Sequence, residues 1–178
     1  MFRGPWSAKD APKHYANQVK EAIDFNTSGN IALFMAEPIQ GVGGLNPLPQ
    51  GFMQEVIPHV KAAGGLLLSD EVQTGFGRIG SHYWGCEMLG YKPDIITMAK
   101  QMGNGFPLAA VAVSKEVGAS MKKLTFSTYG GNPLAMAAGR EVIKVIDDEK
   151  MRENSHKLGK LLMAGLTDLK SRYECIGD

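Results

Sequence analysis

LLLSD at residues 66–70 and DIITMAK at residues 94–100 decide the fold of this chain, because each is a short apolar run that ends on a charged side chain. Uninterrupted apolar runs of this length are typical of strands that are buried on both faces of a sheet. Two similar runs, IALFMAE at 31–37 and LAAVAVS at 108–114, lie on either side of them. We therefore predict four strands of one mostly parallel sheet.

Helical periodicity separates these runs along the chain, since apolar residues recur there every three or four positions. The predicted helices are residues 15–25, 52–64, 82–89, 133–149 and 151–172. Gly139 and Gly159 are predicted weak points of the last two helices, and residues 41–51, rich in Gly and Pro, are predicted to form a loop. Strands that alternate with helices indicate an α/β fold, with a mostly parallel sheet covered by helices on both faces.

The composition excludes several classes of protein. The chain has 178 residues, of which 44% are hydrophobic, and 19 Lys and Arg oppose 18 Asp and Glu. Without a basic run we expect no nucleic-acid binding, and without an apolar stretch of about 20 residues we expect no membrane span. The two Cys and four His fall at no metal-ligand spacing, so neither a disulfide scaffold nor a metal site is expected.

Charged residues end three of the four apolar runs: Glu37, Asp70 and Lys100. Each could simply mark the end of a strand. In α/β sheets, however, the carboxyl ends of the strands converge on one crevice, where an ionisable group lies at the edge of a low-dielectric core. The three residues together therefore predict a functional site at this edge.

A G-x-G-x-x-G pattern at Gly75, Gly77 and Gly80 resembles a dinucleotide-binding loop. That motif should follow its strand at once and precede a ribose-binding acid by about 20 residues. Here the apolar run ends earlier, at Asp70, and no acid lies at the expected distance. We attribute the pattern to the high glycine content, 22 residues in all.

A pyridine-containing aldehyde cofactor fits the charged residues better. Such a cofactor needs a lysine for covalent attachment and a carboxylate that keeps its ring nitrogen protonated. Asp70 and Lys100 can supply that pair.

Four segments in order carry a resemblance to the class III aminotransferases, which use pyridoxal phosphate and have the fold type I architecture. The segments are AEPIQGVGG (36–44), LLLSDEVQTGFGRIGSHYWG (66–85), PDIITMAKQMGNGFPLAAV (93–111) and TYGGNPLAMAAG (128–139). The resemblance runs over essentially the whole chain, including FRGPW at its start.

The resemblance implies a role for each residue at the strand ends. Lys100 would hold the cofactor covalently and then act as the base that moves the substrate proton. Asp70 would pair with the ring nitrogen, Val72 would pack on the ring face and Gln73 would approach the ring hydroxyl. Glu37 resembles a glutamate that pairs with an active-site arginine and moves aside for a substrate carboxylate.

The same resemblance implies an assembly. Thr128, in TYGGNP, would bind the cofactor phosphate of the other subunit, so we expect a homodimer or a dimer of dimers. Members of the family are more than twice as long as this chain. Residues 1–178 would then be the C-terminal portion of the cofactor-binding large domain, without its N-terminal part and without the small C-terminal domain, and inactive alone. The resemblance also implies a mitochondrial location.

The leading hypothesis is a transaminase that moves an amino group from an amino acid such as alanine to an oxo acid such as glyoxylate. A phospho-lyase that uses the same cofactor is an alternative, as is a non-catalytic truncated module. Metal-dependent hydrolysis through Glu37, Asp70 and Glu71 is disfavoured, since successive side chains in an extended segment point apart.

Overall fold

A four-stranded sheet forms the centre of the chain, of which the computed structural model describes residues 6–7 and 9–176. The strands of the chain are β1 (Leu33–Ala36), β2 (Ile39–Gln40), β3 (Asn46–Pro47), β4 (Leu66–Asp70), β5 (Ile95–Met98) and β6 (Ala110–Val113). In the main sheet the order is β1-β4-β5-β6. The four apolar runs thus supply its four strands, as the sequence predicts.

The main sheet is mostly parallel. Strand β4 pairs in parallel with β1 and β5, while β6 runs antiparallel to β5. A parallel crossover needs a dozen or more residues and usually an α-helix. Residues 99–109 contain only a 3₁₀ turn, so the chain returns antiparallel at this edge. The predicted α/β fold is confirmed.

One strand of a small hairpin, β3, lies within the segment that the sequence predicts as a loop. Strand β2 pairs antiparallel with β3, with Ile39 opposite Pro47 and Gln40 opposite Asn46. The prediction of an irregular loop over residues 41–51 was therefore wrong at its centre. Two paired positions are too few to leave an alternating pattern in the sequence.

Six α-helices lie in the described part of the chain. They are α1 (Ala11–Asn26), α2 (Phe52–Ala62), α3 (Gly85–Met88), α4 (Lys115–Ser120), α5 (Pro133–Asp148) and α6 (Met151–Arg172). Five correspond to predicted helices, and α4 is an addition whose first turn is capped by the Ser114 hydroxyl, 3.3 Å from the Val117 N–H. None of the described helices combines the length and apolar character needed to cross a bilayer.

Helices α1, α2 and α5 pack against one face of the sheet. Helices α1 and α2 form a core with Leu67 and Ile96, and α5 packs near Met98 of the same face. Side chains alternate along a strand, so Leu33 and Met35 point to the opposite face. There Met35 is 61% exposed.

Candidate functional site

Asp70 and Lys100 lie at the carboxyl ends of adjacent parallel strands. Asp70 is the last residue of β4 and pairs with Thr97 of β5. Lys100 follows β5 and begins the 3₁₀ turn. Glu37 comes directly after β1, on the other side of β4. The structure therefore brings the three predicted strand-end residues to one edge of the sheet.

The half-buried carboxylate of Asp70 keeps acceptor capacity for a ligand. Its Oδ1 accepts a hydrogen bond from the Val72 N–H at 3.0 Å, and no described residue donates to its other oxygen. Asp70 lines a cavity of about 260 Å³ together with Glu37 and Gln40. A carboxylate with one free oxygen beside a cavity can hold a cationic ring nitrogen.

Lys100 has an exposed side chain and an unusual backbone. Its φ is 45°, in the left-handed region that residues with a Cβ rarely adopt, and such strain gathers at functional sites. Its ammonium forms neither an ion pair nor a hydrogen bond with any described residue. A Cβ on Gly103 would lie 2.2 Å from the Phe106 carbonyl oxygen, so the turn after Lys100 requires glycine there.

Gln73 connects two of the site's loops. Its carbonyl oxygen accepts a hydrogen bond from Gln101 Nε2 at 2.8 Å. An added Cβ on Gly41 would lie 3.0 Å from Gln73 Nε2, so the turn after β2 packs closely on the Gln73 side chain. Sequence reasoning missed Gln101, whose only signal is its position next to Lys100.

Glu37 is half-buried and is bound within its own turn. Its Oε2 accepts a hydrogen bond from the Gly41 N–H at 2.9 Å. The carboxylate therefore faces the start of the turn between β2 and β3, and it lines the same cavity as Asp70. The arginine that the resemblance pairs with Glu37 is not among its described contacts.

Val72 and Thr128 occupy different surroundings. Val72 is half-buried beside Asp70. Thr128 is exposed in the loop before α5, and no hydrogen bond or ion pair joins it to Asp70 or Lys100 among the described residues. The helix start predicted next to it is confirmed, since the Asn132 Oδ1 caps the Ala135 N–H at 2.9 Å.

The glycine motif has a packing role, which corrects its interpretation as a chance result of composition. A Cβ on Gly77 would lie 2.9 Å from the Arg152 Cβ, and one on Gly80 would lie 2.6 Å from the His156 backbone N. A Cβ on Gly75 would lie 2.8 Å from a carbon of the Trp84 ring. The three glycines allow this loop to contact helix α6 and Trp84 at short range.

Two buried polar atoms at the site lack partners among the described residues: Thr97 Oγ1 and Gln101 Oε1. Thr97 pairs with Asp70, and Gln101 adjoins Lys100. Buried polar atoms are nearly always hydrogen-bonded, so both indicate that a further group belongs here. Among the described residues no three His, Cys, Asp or Glu side chains are grouped as metal ligands would be.

Comparison with known proteins identifies relatives along the whole chain. The family model "Aminotransferase class-III" matches residues 6–178. The chain is 41% identical over 200 residues to alanine–glyoxylate aminotransferase 2, mitochondrial, from Homo sapiens, covering 100% of this chain and 39% of that protein. It is 46% identical to alanine–glyoxylate aminotransferase 2 homolog 2, mitochondrial, from Arabidopsis thaliana, covering 99% and 37%.

A relative with a different named activity is similar to the same degree. The chain is 44% identical to ethanolamine-phosphate phospho-lyase homolog 1 from Caenorhabditis elegans, covering 94% of this chain and 37% of that protein. The chain thus spans less than two fifths of the length of each of these relatives.

Solved structures agree with the sequence comparison. A transaminase from the marine bacterium Virgibacillus superposes with a TM-score of 0.88 at 35% identity, over 94% of this chain and 39% of that one. An aminotransferase from Bacillus anthracis gives a TM-score of 0.83 at 36% identity, over 92% and 38%.

Proposed function

The chain belongs to the class III aminotransferases, and we propose that it is the central part of an enzyme that moves an amino group from an amino acid, such as alanine, to an oxo acid, such as glyoxylate. The observation that carries the proposal is the position of the two residues: Asp70 ends β4, and Lys100 follows the end of the adjacent strand β5. The two relatives named as alanine–glyoxylate aminotransferases support the choice of substrates.

The residues at the sheet edge fit pyridoxal phosphate. Asp70 has a free oxygen for the ring nitrogen, and Lys100 has an ammonium without a partner among the described residues. The unpartnered Thr97 Oγ1 and Gln101 Oε1 add buried polar atoms beside them. Acceptor, amine and unsatisfied polar groups in one place are what this cofactor requires.

In the proposed mechanism, two side chains carry the proton chemistry. Pyridoxal phosphate supplies an aldehyde that receives the amino group and a protonated ring that withdraws electrons from the substrate α-carbon. Asp70 keeps the proton on the ring nitrogen, because its negative charge favours the protonated form. Lys100 would bind the cofactor and, once displaced by the incoming amine, would take the α-proton on Nζ and deliver it to the carbon that carried the aldehyde oxygen.

The remaining site residues bind and orient. Val72 packs on the ring face, and Gln73, fixed by Gln101, approaches the ring hydroxyl. Glu37 pairs with an active-site arginine and moves aside when the carboxylate of a substrate binds. Thr128 reaches the phosphate of the neighbouring subunit, which its exposed loop permits.

The same proposal includes the oligomeric state of the enzyme, its location in the cell and the part of the enzyme that these residues form. The enzyme is a homodimer or a dimer of dimers, and the mitochondrial names of the relatives support a mitochondrial location. The 178 residues form the C-terminal portion of its cofactor-binding large domain and have no measurable activity on their own.

A phospho-lyase remains the second candidate, because the relative from Caenorhabditis elegans carries that name. Coupled assays on the full-length enzyme separate the two activities. Alanine with glyoxylate should release pyruvate, whereas phosphate released from ethanolamine phosphate without pyruvate formation would support the lyase. A Lys100→Ala enzyme is the control for both assays, and neither product from the unaltered enzyme would favour a non-catalytic module.

A further inference from the structure

Glu71 is a completely buried carboxylate next to Asp70. Its side chain is 0% exposed, at the edge of a core built mainly from apolar residues. Burial of a charged group is costly unless hydrogen bonds replace its hydration. The position therefore calls for a structural or functional reason.

Four donors surround the Glu71 carboxylate. Oε1 accepts from the Ser69 hydroxyl at 2.9 Å and from the Cys86 N–H at 2.8 Å. Oε2 accepts from the Gly85 N–H at 2.7 Å and from the Thr74 hydroxyl. No described cationic side chain forms an ion pair with it. Two donors at each oxygen satisfy the ionised form without a counter-charge.

The backbone of Glu71 adds two further connections. Its N–H donates to the Thr97 carbonyl at 2.9 Å, which joins β4 to β5 just before Lys100. Its carbonyl accepts from the Gly75 N–H at 2.9 Å. Glu71 thus holds the end of β4, the following turn and the start of α3 in one arrangement.

Asp70, by contrast, is held weakly through its own side chain. Its one hydrogen bond among the described residues is to the Val72 N–H, at 3.0 Å. Successive side chains of an extended segment point in opposite directions, so an inward anchor at Glu71 fixes the outward direction of Asp70.

We propose that Glu71 is a positioning residue that holds Asp70 in line with the cofactor's ring nitrogen, an inference that rests on the proposed function. Glu71 touches neither cofactor nor substrate and acts through the backbone it shares with Asp70. Precise alignment matters because a displaced carboxylate stabilises the ring proton less.

Glu71→Gln in the full-length enzyme tests the proposal. The amide NH2 group replaces one of the two carboxylate oxygens, so it faces the N–H of either Gly85 or Cys86, donor against donor, and loosens the anchor. We expect kcat to fall about tenfold or more, which corresponds to one pKa unit at the ring nitrogen, with little change in the KM for the amino donor.

A spectroscopic readout separates positioning from general destabilisation. The nitrogen that joins Lys100 to the cofactor titrates with a visible absorbance change. Because a neighbouring positive ring lowers the pKa of that nitrogen, a ring that loses its proton should shift the titration midpoint upward. We expect this upward shift of the titration midpoint in Glu71→Gln. Thr74→Val, which removes one hydroxyl donor to Glu71, should give a smaller shift and serves as the test if Glu71→Gln fails to fold.

Glu87→Gln is the matched control. Glu87 is a carboxylate of α3, the helix whose first two residues donate to Glu71, and it accepts from the Tyr83 and Trp84 N–H groups at 3.1 and 3.0 Å without contacting Glu71. Unchanged kcat and midpoint in folded Glu71→Gln or Thr74→Val, or an equal shift in Glu87→Gln, would overturn the inference. Absence of lysine-bound absorbance in the unaltered enzyme would overturn the proposed function as well.

Discussion

At the scale of single residues, Asp70 and Lys100 differ in what prepares them for chemistry. Lys100 has a strained backbone with φ of 45° and an ammonium without a partner among the described residues. Asp70 has no positive φ, and one of its two carboxylate oxygens accepts a hydrogen bond from the Val72 N–H. The strain at Lys100 fixes the direction of a long, flexible side chain, and the free oxygen of Asp70 leaves room for a ligand.

Asp70→Asn should separate cofactor binding from proton transfer. The amide is neutral and cannot keep the ring nitrogen protonated, while Lys100 still attaches the cofactor. If the pKa of the ring nitrogen falls by about two units, the half-reaction with alanine should slow about 100-fold, because each unit corresponds to a tenfold change.

Single-turnover kinetics of the full-length enzyme measure this effect. Asp24→Asn is the control, since Asp24 is an exposed residue of α1 that pairs only with Lys20 among the described residues. An unchanged half-reaction rate in Asp70→Asn would reject the assigned role.

At the scale of elements, two helical glycines that look alike in sequence have opposite surroundings. A Cβ on Gly139 of α5 would lie 2.5 Å from Leu108 Cδ2, whereas a Cβ on Gly159 of α6 would meet nothing within 4 Å. Gly139→Ala should therefore leave the protein less stable than Gly159→Ala does, because the Leu108 methyl group must move aside for the added Cβ. Gly159→Ala should stabilise it by about 0.5–1 kcal/mol through helix propensity.

Urea denaturation of the two variants and the unaltered protein measures both effects. Each variant is the control for the other, because the substitution is the same and only the surroundings differ. A destabilising Gly159→Ala, or a Gly139→Ala variant as stable as Gly159→Ala, would show that the packing of α5 and α6 is not as described.

Asp94 makes the junction of α2, β4 and β5 sensitive to pH. Burial by itself raises the pKa of Asp94, but hydrogen bonds from the Lys61 ammonium and the Leu67 N–H outweigh it and hold the pKa below its usual value. A carboxyl with a lowered folded-state pKa stabilises the fold above its unfolded pKa of about 3.9. That contribution is lost as the pH falls through the folded pKa.

Asp94→Asn should therefore cost more stability at pH 7 than at pH 3. Urea midpoints of variant and unaltered protein at the two pH values give the comparison. Asp24→Asn, which alters an exposed ion pair within one helix, is the reference for ordinary surface carboxylates. An Asp94→Asn penalty that is equal at both pH values would contradict the assigned linkage.

The sequence predicted the site residues that local patterns along the chain mark. It missed the residues whose role depends on contacts between distant parts of the chain. Asp70 and Lys100 could be found because buried apolar runs stop at them. Gln101 and Glu71 could not, since their partners, such as Gln73 and Cys86, are distant in sequence. The antiparallel direction of β6 was likewise hidden, because an apolar run carries no direction.

At the scale of the whole molecule, two apolar surfaces remain open. Helix α6 buries none of its described residues, and Leu161 on it is 72% exposed. The sheet face opposite the helices exposes Met35 at 61% and Val111 at 63%. Apolar surfaces of this kind mark places where other structure packs, which fits a chain that spans 39% of its human relative.

A mixed dimer tests whether Thr128 acts across subunits. If each site combines the lysine of one subunit with the threonine of the other, Lys100→Ala and Thr128→Ala subunits form a dimer with one intact site. Activity of the mixture should then rise above that of either parent. Absence of recovery after verified subunit exchange would count against Thr128 acting in trans.

The central claim is that Lys100 is the residue to which the cofactor attaches. Borohydride reduction of the full-length enzyme with pyridoxal phosphate, followed by peptide mapping, measures this directly. We predict a pyridoxyl label on the peptide that contains Lys100, because this lysine follows the end of β5, next to the strand that Asp70 ends. A label on Lys61, Lys92 or Lys115 in its place would contradict the account.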